Sequence, residues 1–177
     1  MMKPILDATA GNRMMWKNKT PPDVIFMDKE TRLRIPPHVF ATWEKLPFRD
    51  NAFSLIIFDP PHYAGFGKNS IHKDPSGESW LGEYGNKRKL MRAIVHASKE
   101  FSRTSKRLCL KWCESYWGYF EKTTGRYRKR NETPTLWKVL GALYSWREVF
   151  RLERKSKYGN SNQKLYWVTL ENKSMIV

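Results

Sequence analysis

The stretch Leu55-Ile56-Ile57-Phe58-Asp59-Pro60-Pro61-His62-Tyr63 leaves this chain little choice of fold. Four apolar residues, two of them β-branched, read as a short strand buried on both faces. The strand stops at Pro60, because a proline has no N–H for the ladder and a second proline follows. Asp59 precedes a proline and is pushed to an extended conformation. A carboxylate is thereby held at the C-terminal end of a buried strand, where open α/β sheets bind their ligands. The two prolines fix the Asp59 carboxylate relative to the Pro60 carbonyl, and rings follow at His62 and Tyr63. Two acceptors beside a ring suit a planar amine, which donates both N–H groups while the ring stacks on its base.

Residues 5–16 begin with a second strand, Ile5-Leu6-Asp7. The chain then passes through Ala8, Thr9, Ala10, Gly11 and Asn12, and the pattern predicts a helix from Arg13. Strand, small-residue turn and helix bring backbone N–H groups against a ligand. It is no phosphate P-loop, since Gly-Lys-Ser/Thr is missing. Val24 to Met27 make another buried strand, closed by Asp28. An acid there, after a glycine-containing first turn, is the arrangement that holds ribose hydroxyls. A third strand is expected over residues 38–43.

Residues 64–86 are rich in Gly, Ser and Lys and read as a lid or binding loop. An amphipathic helix is predicted from Lys87 to Phe101, with Leu90, Ile94, Ala97 and Phe101 on one face. Lys87, Arg88, Lys89 and Arg92 cluster at its start, where the helix dipole favours acids; phosphates would account for them. A further strand runs from Arg107 to Cys113. Arg126, Tyr127, Arg128, Lys129 and Arg130 form the most basic run of the chain and read as a phosphate-contacting loop. Thr133-Pro134 predicts a helix start. Trp146 to Leu152 and Lys164 to Leu170 alternate and predict a closing antiparallel hairpin.

The charge supports a polyanionic partner. Thirty-three Lys and Arg oppose 17 acids, a net of +16, more than solubility requires. Nucleic acid, DNA or RNA, comes first; no amphipathic basic helix is long enough for a membrane surface. With 40% apolar residues in 177, a single globular domain is expected over residues 1–177. No signal segment opens the chain, and Cys109 and Cys113 read as buried free thiols, so a cytoplasmic setting is expected. His38, His62, His72 and His96 make no metal-ligand spacing with those cysteines, so no metal is expected.

Taken together, the chain resembles the class I S-adenosylmethionine-dependent methyltransferases. That resemblance implies a Rossmann-like α/β fold: a mostly parallel sheet, a C-terminal antiparallel hairpin and helices on both faces. Asp7, Ala8, Thr9, Ala10, Gly11 and Asn12 resemble the family's first motif, which holds the methionine part of S-adenosylmethionine. Asp28, with Lys29 beside it, matches the ribose-binding acid. Asp59, Pro60, Pro61 and His62 resemble the Asp-Pro-Pro-aromatic motif of enzymes that methylate the exocyclic amine of adenine at N6 or, in RNA, of guanine at N2, with adenine N6 the first expectation. The implied catalytic residues are these four.

Four departures stand out. Arg13 occupies the place of the family's second glycine. His62 replaces the usual Tyr, Phe or Trp. The region between Asp28 and Pro36 is too short for the usual helix. Thr42 or Trp43 stands where an acid normally meets the cofactor adenine. No separate target-recognition domain is expected, so the 64–86 loop, the 125–131 loop, or a protein partner or homodimer would supply specificity. Two rival readings remain: a methyltransferase for a protein amide or small amine, and a degenerate fold that only binds nucleic acid.

Overall fold

The computed structural model describes residues 4–61, 87–114, 116–121, 126–131, 133–155 and 164–175, with the backbone alone in 116–121 and 126–131. In chain order the strands are β1 (Ile5–Asp7), β2 (Val24–Asp28), β3 (Val39–Phe40) and β4 (Leu55–Phe58). Helix α1 (Lys87–Thr104) leads to β5 (Arg107–Glu114), β6 (Tyr116–Glu121) and β7 (Arg126–Asn131). Helix α2 (Leu136–Ala142) then precedes β8 (Trp146–Lys155) and β9 (Lys164–Asn172).

Seven strands form one sheet in the order β3-β2-β1-β4-β5-β9-β8. The first five are parallel, and β9 runs antiparallel between β5 and β8. The order reverses between β1 and β4, because the chain winds outward from β1 in one direction and from β4 in the other. Right-handed crossovers then place the two sets of connections on opposite faces. The burial pattern agrees. Leu6, Ile56, Phe58, Leu108, Leu110, Trp112, Val168 and Leu170 pack on one face with Leu90, Ile94, Ala97 and Phe101 of α1 and Val139 of α2. Burying each large apolar side chain there contributes roughly 1.5–3 kcal/mol. The 41–54 crossover joins the same core through Trp43, Leu46 and Phe53.

The opposite face is different. Under the 8–23 crossover lies a small cluster of Ala10, Val24 and Phe26, with Ile5 and Trp16 packed against it. The expected helix from Arg13 is absent: residues 8–23 are turns and bends. Left-handed backbone at Gly11 (φ 47°) and Arg13 (φ 56°), followed by Pro21-Pro22, cannot continue a helix. Residues 29–38 are likewise irregular, too short before Pro36-Pro37. Among the described residues α1 and α2 lie together on one face, and the second face carries no helix.

Three other boundaries move. The third strand shrinks to Val39–Phe40. Helix α2 starts at Leu136 after Thr135, which makes no side-chain cap bond. Glu114 of β5 instead accepts the Leu136 N–H at 2.5 Å, so a carboxylate from another element meets the helix start. The basic run read as a loop is strand β7, paired in register with β6 from Tyr116↔Asn131 to Glu121↔Arg126. The closing hairpin stands as expected, running to Lys155 and from Lys164.

Candidate active site

The carboxyl ends of β1, β2 and β4 are neighbours and each ends in or beside an acid: Asp7, Asp28 and Asp59. The turn after β1 is tied down residue by residue. Ala8 N–H donates to Ile57 O at 3.0 Å and Ala10 N–H to Met27 O at 3.0 Å. The Thr9 hydroxyl accepts the Asp59 N–H at 2.8 Å, and Asp28 Oδ2 accepts the Gly11 N–H at 2.8 Å. The first motif therefore contacts both other acid-bearing strands, and its glycine has the positive φ that an L side chain resists.

Asp7 is fully buried. Its carboxylate accepts the Trp16 Nε1–H at 2.7 Å and the Thr9 N–H at 3.2 Å. Burial raises its pKa from 3.8 to about 6; those two bonds pull it down, and Asp59 and Asp28 push it up. A cation placed here would relieve that strain.

Arg13 does not enter the crevice. Only 4% exposed, its guanidinium donates to Lys19 O at 2.5 Å and to Pro36 O at 2.9 Å and lies 4.0 Å above the Phe26 ring. The Lys19 ammonium returns a bond to Arg13 O at 2.7 Å. Asn12 Oδ1 accepts the Arg34 and Ile35 N–H groups at 2.8 and 3.3 Å. Two polar side chains thus join residues 8–20 to 29–38, doing the work of the missing helices. The backbone at 13 keeps a glycine-like conformation without glycine.

Asp59 is half-buried, between buried Pro60 and Phe58. The Lys111 ammonium donates to Asp59 Oδ2 at 2.5 Å, and sits 5.9 Å from the Trp167 ring centroid. Sequence reasoning missed Lys111, although a signal was present. Leu108, Leu110 and Trp112 alternate onto the helix-covered face, so a lysine between them faces the other side and needs a partner. Register brings it there: Phe58 pairs with Leu110, so the next residues on both strands meet. Cys109 and Cys113 flank Lys111 on that face, and burial pushes both thiols above their ordinary range.

The other expected residues lie as follows. Lys29 is exposed beside Asp28. Thr42 is exposed, whereas Trp43 is a core residue whose ring meets Phe58 edge-on at 5.1 Å. Lys87, Arg88, Lys89 and Arg92 are exposed on α1. The Asn51 and Phe53 N–H groups bond to Arg103 O and Thr104 O, which fixes the end of α1 at the amino edge of the sheet. Its 18 residues span about 27 Å, so the basic first turn reaches the carboxyl edge that Asp59 occupies. His62 and the 64–86 loop lie outside the described residues, as do the side chains of Arg126, Tyr127, Arg128, Lys129 and Arg130.

The first motif also carries one buried donor without a partner. Asn12 Nδ2 is buried without a hydrogen-bond partner, and its orientation is set by the two N–H donors on Oδ1. An acceptor such as a carboxylate would satisfy it, while Asp7 suits a cationic group and Asp28 suits ribose hydroxyls.

The strand order, with an antiparallel strand inserted next to the edge and acids at the carboxyl ends of adjoining strands, is the fold of S-adenosylmethionine-dependent methyltransferases. Solved structures bear this out. A methyltransferase of that type from Methanosarcina mazei superposes with a TM-score of 0.55 at 11% identity, over 97% of this chain and 92% of that one. The N-methyltransferase NodS from Bradyrhizobium japonicum gives 0.52 at 12% identity, over 96% and 85%. The [4+2]-cyclase SpnF gives 0.55 at 10% identity, over 97% and 74%. No protein-family profile and no curated protein matches the sequence. Among the described residues no helix is long and apolar enough to cross a membrane.

Proposed function

We propose that this chain binds S-adenosylmethionine and transfers its methyl group to an exocyclic amine of a nucleic-acid base, with adenine N6 the first candidate. One observation carries the reading: a nitrogen donor, Lys111 Nζ, already sits on Asp59 Oδ2 in the crevice between Asp7 and β5. That carboxylate can receive an amine N–H where the cofactor's methionine end would be held by Asp7, Gly11 and Asn12, with Asp28 on the ribose.

Bound S-adenosylmethionine would supply an electrophilic methyl group. The rest of the work is alignment. Asp59 and the Pro60 carbonyl hold the two N–H groups of the amine and favour a geometry that frees its lone pair. For this Lys111 must yield Oδ2, so the ammonium is the group an acceptor replaces. His62 provides the ring that stacks on the base. A base inside a duplex cannot reach the crevice and is taken unpaired or flipped out.

The experiment is transfer of a labelled methyl group from S-adenosylmethionine to DNA, RNA and protein extract in parallel, with Asp59→Ala as control. Label in one nucleic acid, lost at least about a thousandfold in the variant, is the expected result. Label in protein alone would overturn the choice of substrate. The Lys111–Asp59 pair also favours a second reading, in which the acid is permanently occupied and the fold only binds nucleic acid. Cofactor binding by calorimetry without transfer to any acceptor would select it.

A further inference from the structure

Among the described residues, strands β6 and β7 lie outside the seven-stranded sheet and pair with each other. We propose that this ribbon is the element that takes hold of the nucleic acid, and that it takes a single unpaired strand. The inference rests on the function proposed above and names how its substrate is held.

Placement comes first. The ribbon leaves the carboxyl end of β5, so it stands on the same sheet edge as Asp59. Lys111, bonded to Asp59, lies five residues before Tyr116, about 17 Å along an extended chain. Both feet of the ribbon are fixed. Glu114 at its departure accepts the Leu136 N–H, and Trp112 Nε1 donates to Pro134 O at 3.0 Å. Thr133, where the chain returns, is buried.

Register then sorts the residues. Trp117 pairs with Arg130, Tyr119 with Arg128 and Glu121 with Arg126. Alternation along each strand places these six on one face of the ribbon. Two aromatic residues therefore share a face with three arginines and one acid. The two aromatic positions are about 6.8 Å apart, two strand rises, which is twice the ~3.4 Å repeat of stacked bases. Arginine matches phosphate with a planar fork, and aromatic residues offer stacking surfaces to any base. The exposed basic first turn of α1 reaches the same edge and lengthens the cationic track.

A single strand fits better than a duplex. Stacking platforms need bases whose faces are open, and a crevice that holds a base amine needs the base unpaired. The duplex alternative, a ribbon laid in the major groove, is one outcome of the test.

The full chain is titrated, without cofactor, against fluorescein-labelled 24-nucleotide DNA and RNA strands of one sequence, their duplexes, and long-chain polyphosphate. Folding of each variant is checked by thermal melting. The unmodified protein should bind a single strand at least about tenfold more tightly than duplex or polyphosphate. Trp117→Ala with Tyr119→Ala should lose about tenfold or more for single strands and leave polyphosphate unchanged. Arg128→Ala with Arg130→Ala should weaken both and lower the salt slope by about 1.4. Preference between the DNA and RNA arms identifies the substrate. Tighter binding to duplex, or single-strand binding unmoved by the ring variants, would overturn the proposal. Ring-dependent binding without any methyl transfer would sink the function proposed above and leave the ribbon's role standing. Transfer that survives all four substitutions would do the reverse.

Discussion

From β4 to β8 the sheet is covered by α1 and α2, and its stability rests on apolar side chains such as Leu90, Ile94, Phe101 and Val139 that exclude water altogether. From β1 to β3 the second face has only Ala10, Val24 and Phe26 in its buried cluster, and order depends on Arg13, Asn12 and Asp28 bonding to backbone groups across turns. Burial is non-directional and tolerates many sequences. Hydrogen bonds to carbonyls and N–H groups fix a loop at a particular distance, but each contributes little on balance and costs much when one partner is removed. The half that would hold the cofactor is therefore the half with exact polar geometry and little hydrophobic reserve.

Truncating the core tests one side of this contrast. Ile94→Ala should cost about 3 kcal/mol and lower the melting temperature of the whole protein in one transition. Arg13→Met should cost about 2 kcal/mol, by leaving two carbonyls without their charged donor. Hydrogen exchange should then accelerate in residues 8–38 while α1 stays protected. Equal acceleration in both regions would erase the distinction. Arg13→Gly should be about 1 kcal/mol milder than Arg13→Met, because glycine adopts the left-handed backbone freely.

Lys111 links the halves. Lys111→Met removes the ammonium from a largely covered carboxylate and should cost about 1–2 kcal/mol, well below a fully buried pair because both groups keep some solvent. Lys111→Arg should recover part of that loss. Chemical denaturation of the three proteins in parallel measures it.

A further effect concerns pH. Asp7 has its pKa raised to about 6 in the folded protein, so between pH 4 and 6 the folded state binds more protons than the unfolded chain. Stability should fall as pH rises through that window, by up to about 3 kcal/mol, and level off above it. Asp7→Asn should flatten the slope. Saturating S-adenosylmethionine should flatten it as well, since a bound cation lowers the pKa of a neighbouring acid.

The sequence-level reading recovered the strands of the seven-stranded sheet, α1, the terminal hairpin and the acids of β1, β2 and β4, but not the β6–β7 ribbon, because each element it found depends on local pattern: a β-branched run, a 3.6-residue stripe, an Asp before a Pro. It missed what depends on partners distant in the chain. The Lys111–Asp59 pair spans 52 residues and exists only through the parallel register of β4 with β5. Glu114 capping α2 spans 22, so the helix start shifted past the local signal at Thr133-Pro134. Trp43 sits where the resemblance sought an adenine contact, yet its indole fills space beside Phe58. Arg13 signalled a lost glycine by its identity while its backbone kept the glycine shape, a distinction visible only in φ.

The position of β9 bears on how the molecule comes into being. Synthesised after every strand beside which it lies, β9 sits between β5 and β8, forming the longest ladders in the sheet with both. Until it emerges from the ribosome, the inner edges of β5 and β8 have no partner and present open templates for wrong pairing. The parallel half can gather earlier, but the sheet closes only once β9 has been made. A nascent chain of this protein should therefore depend on chaperones until β9 has emerged.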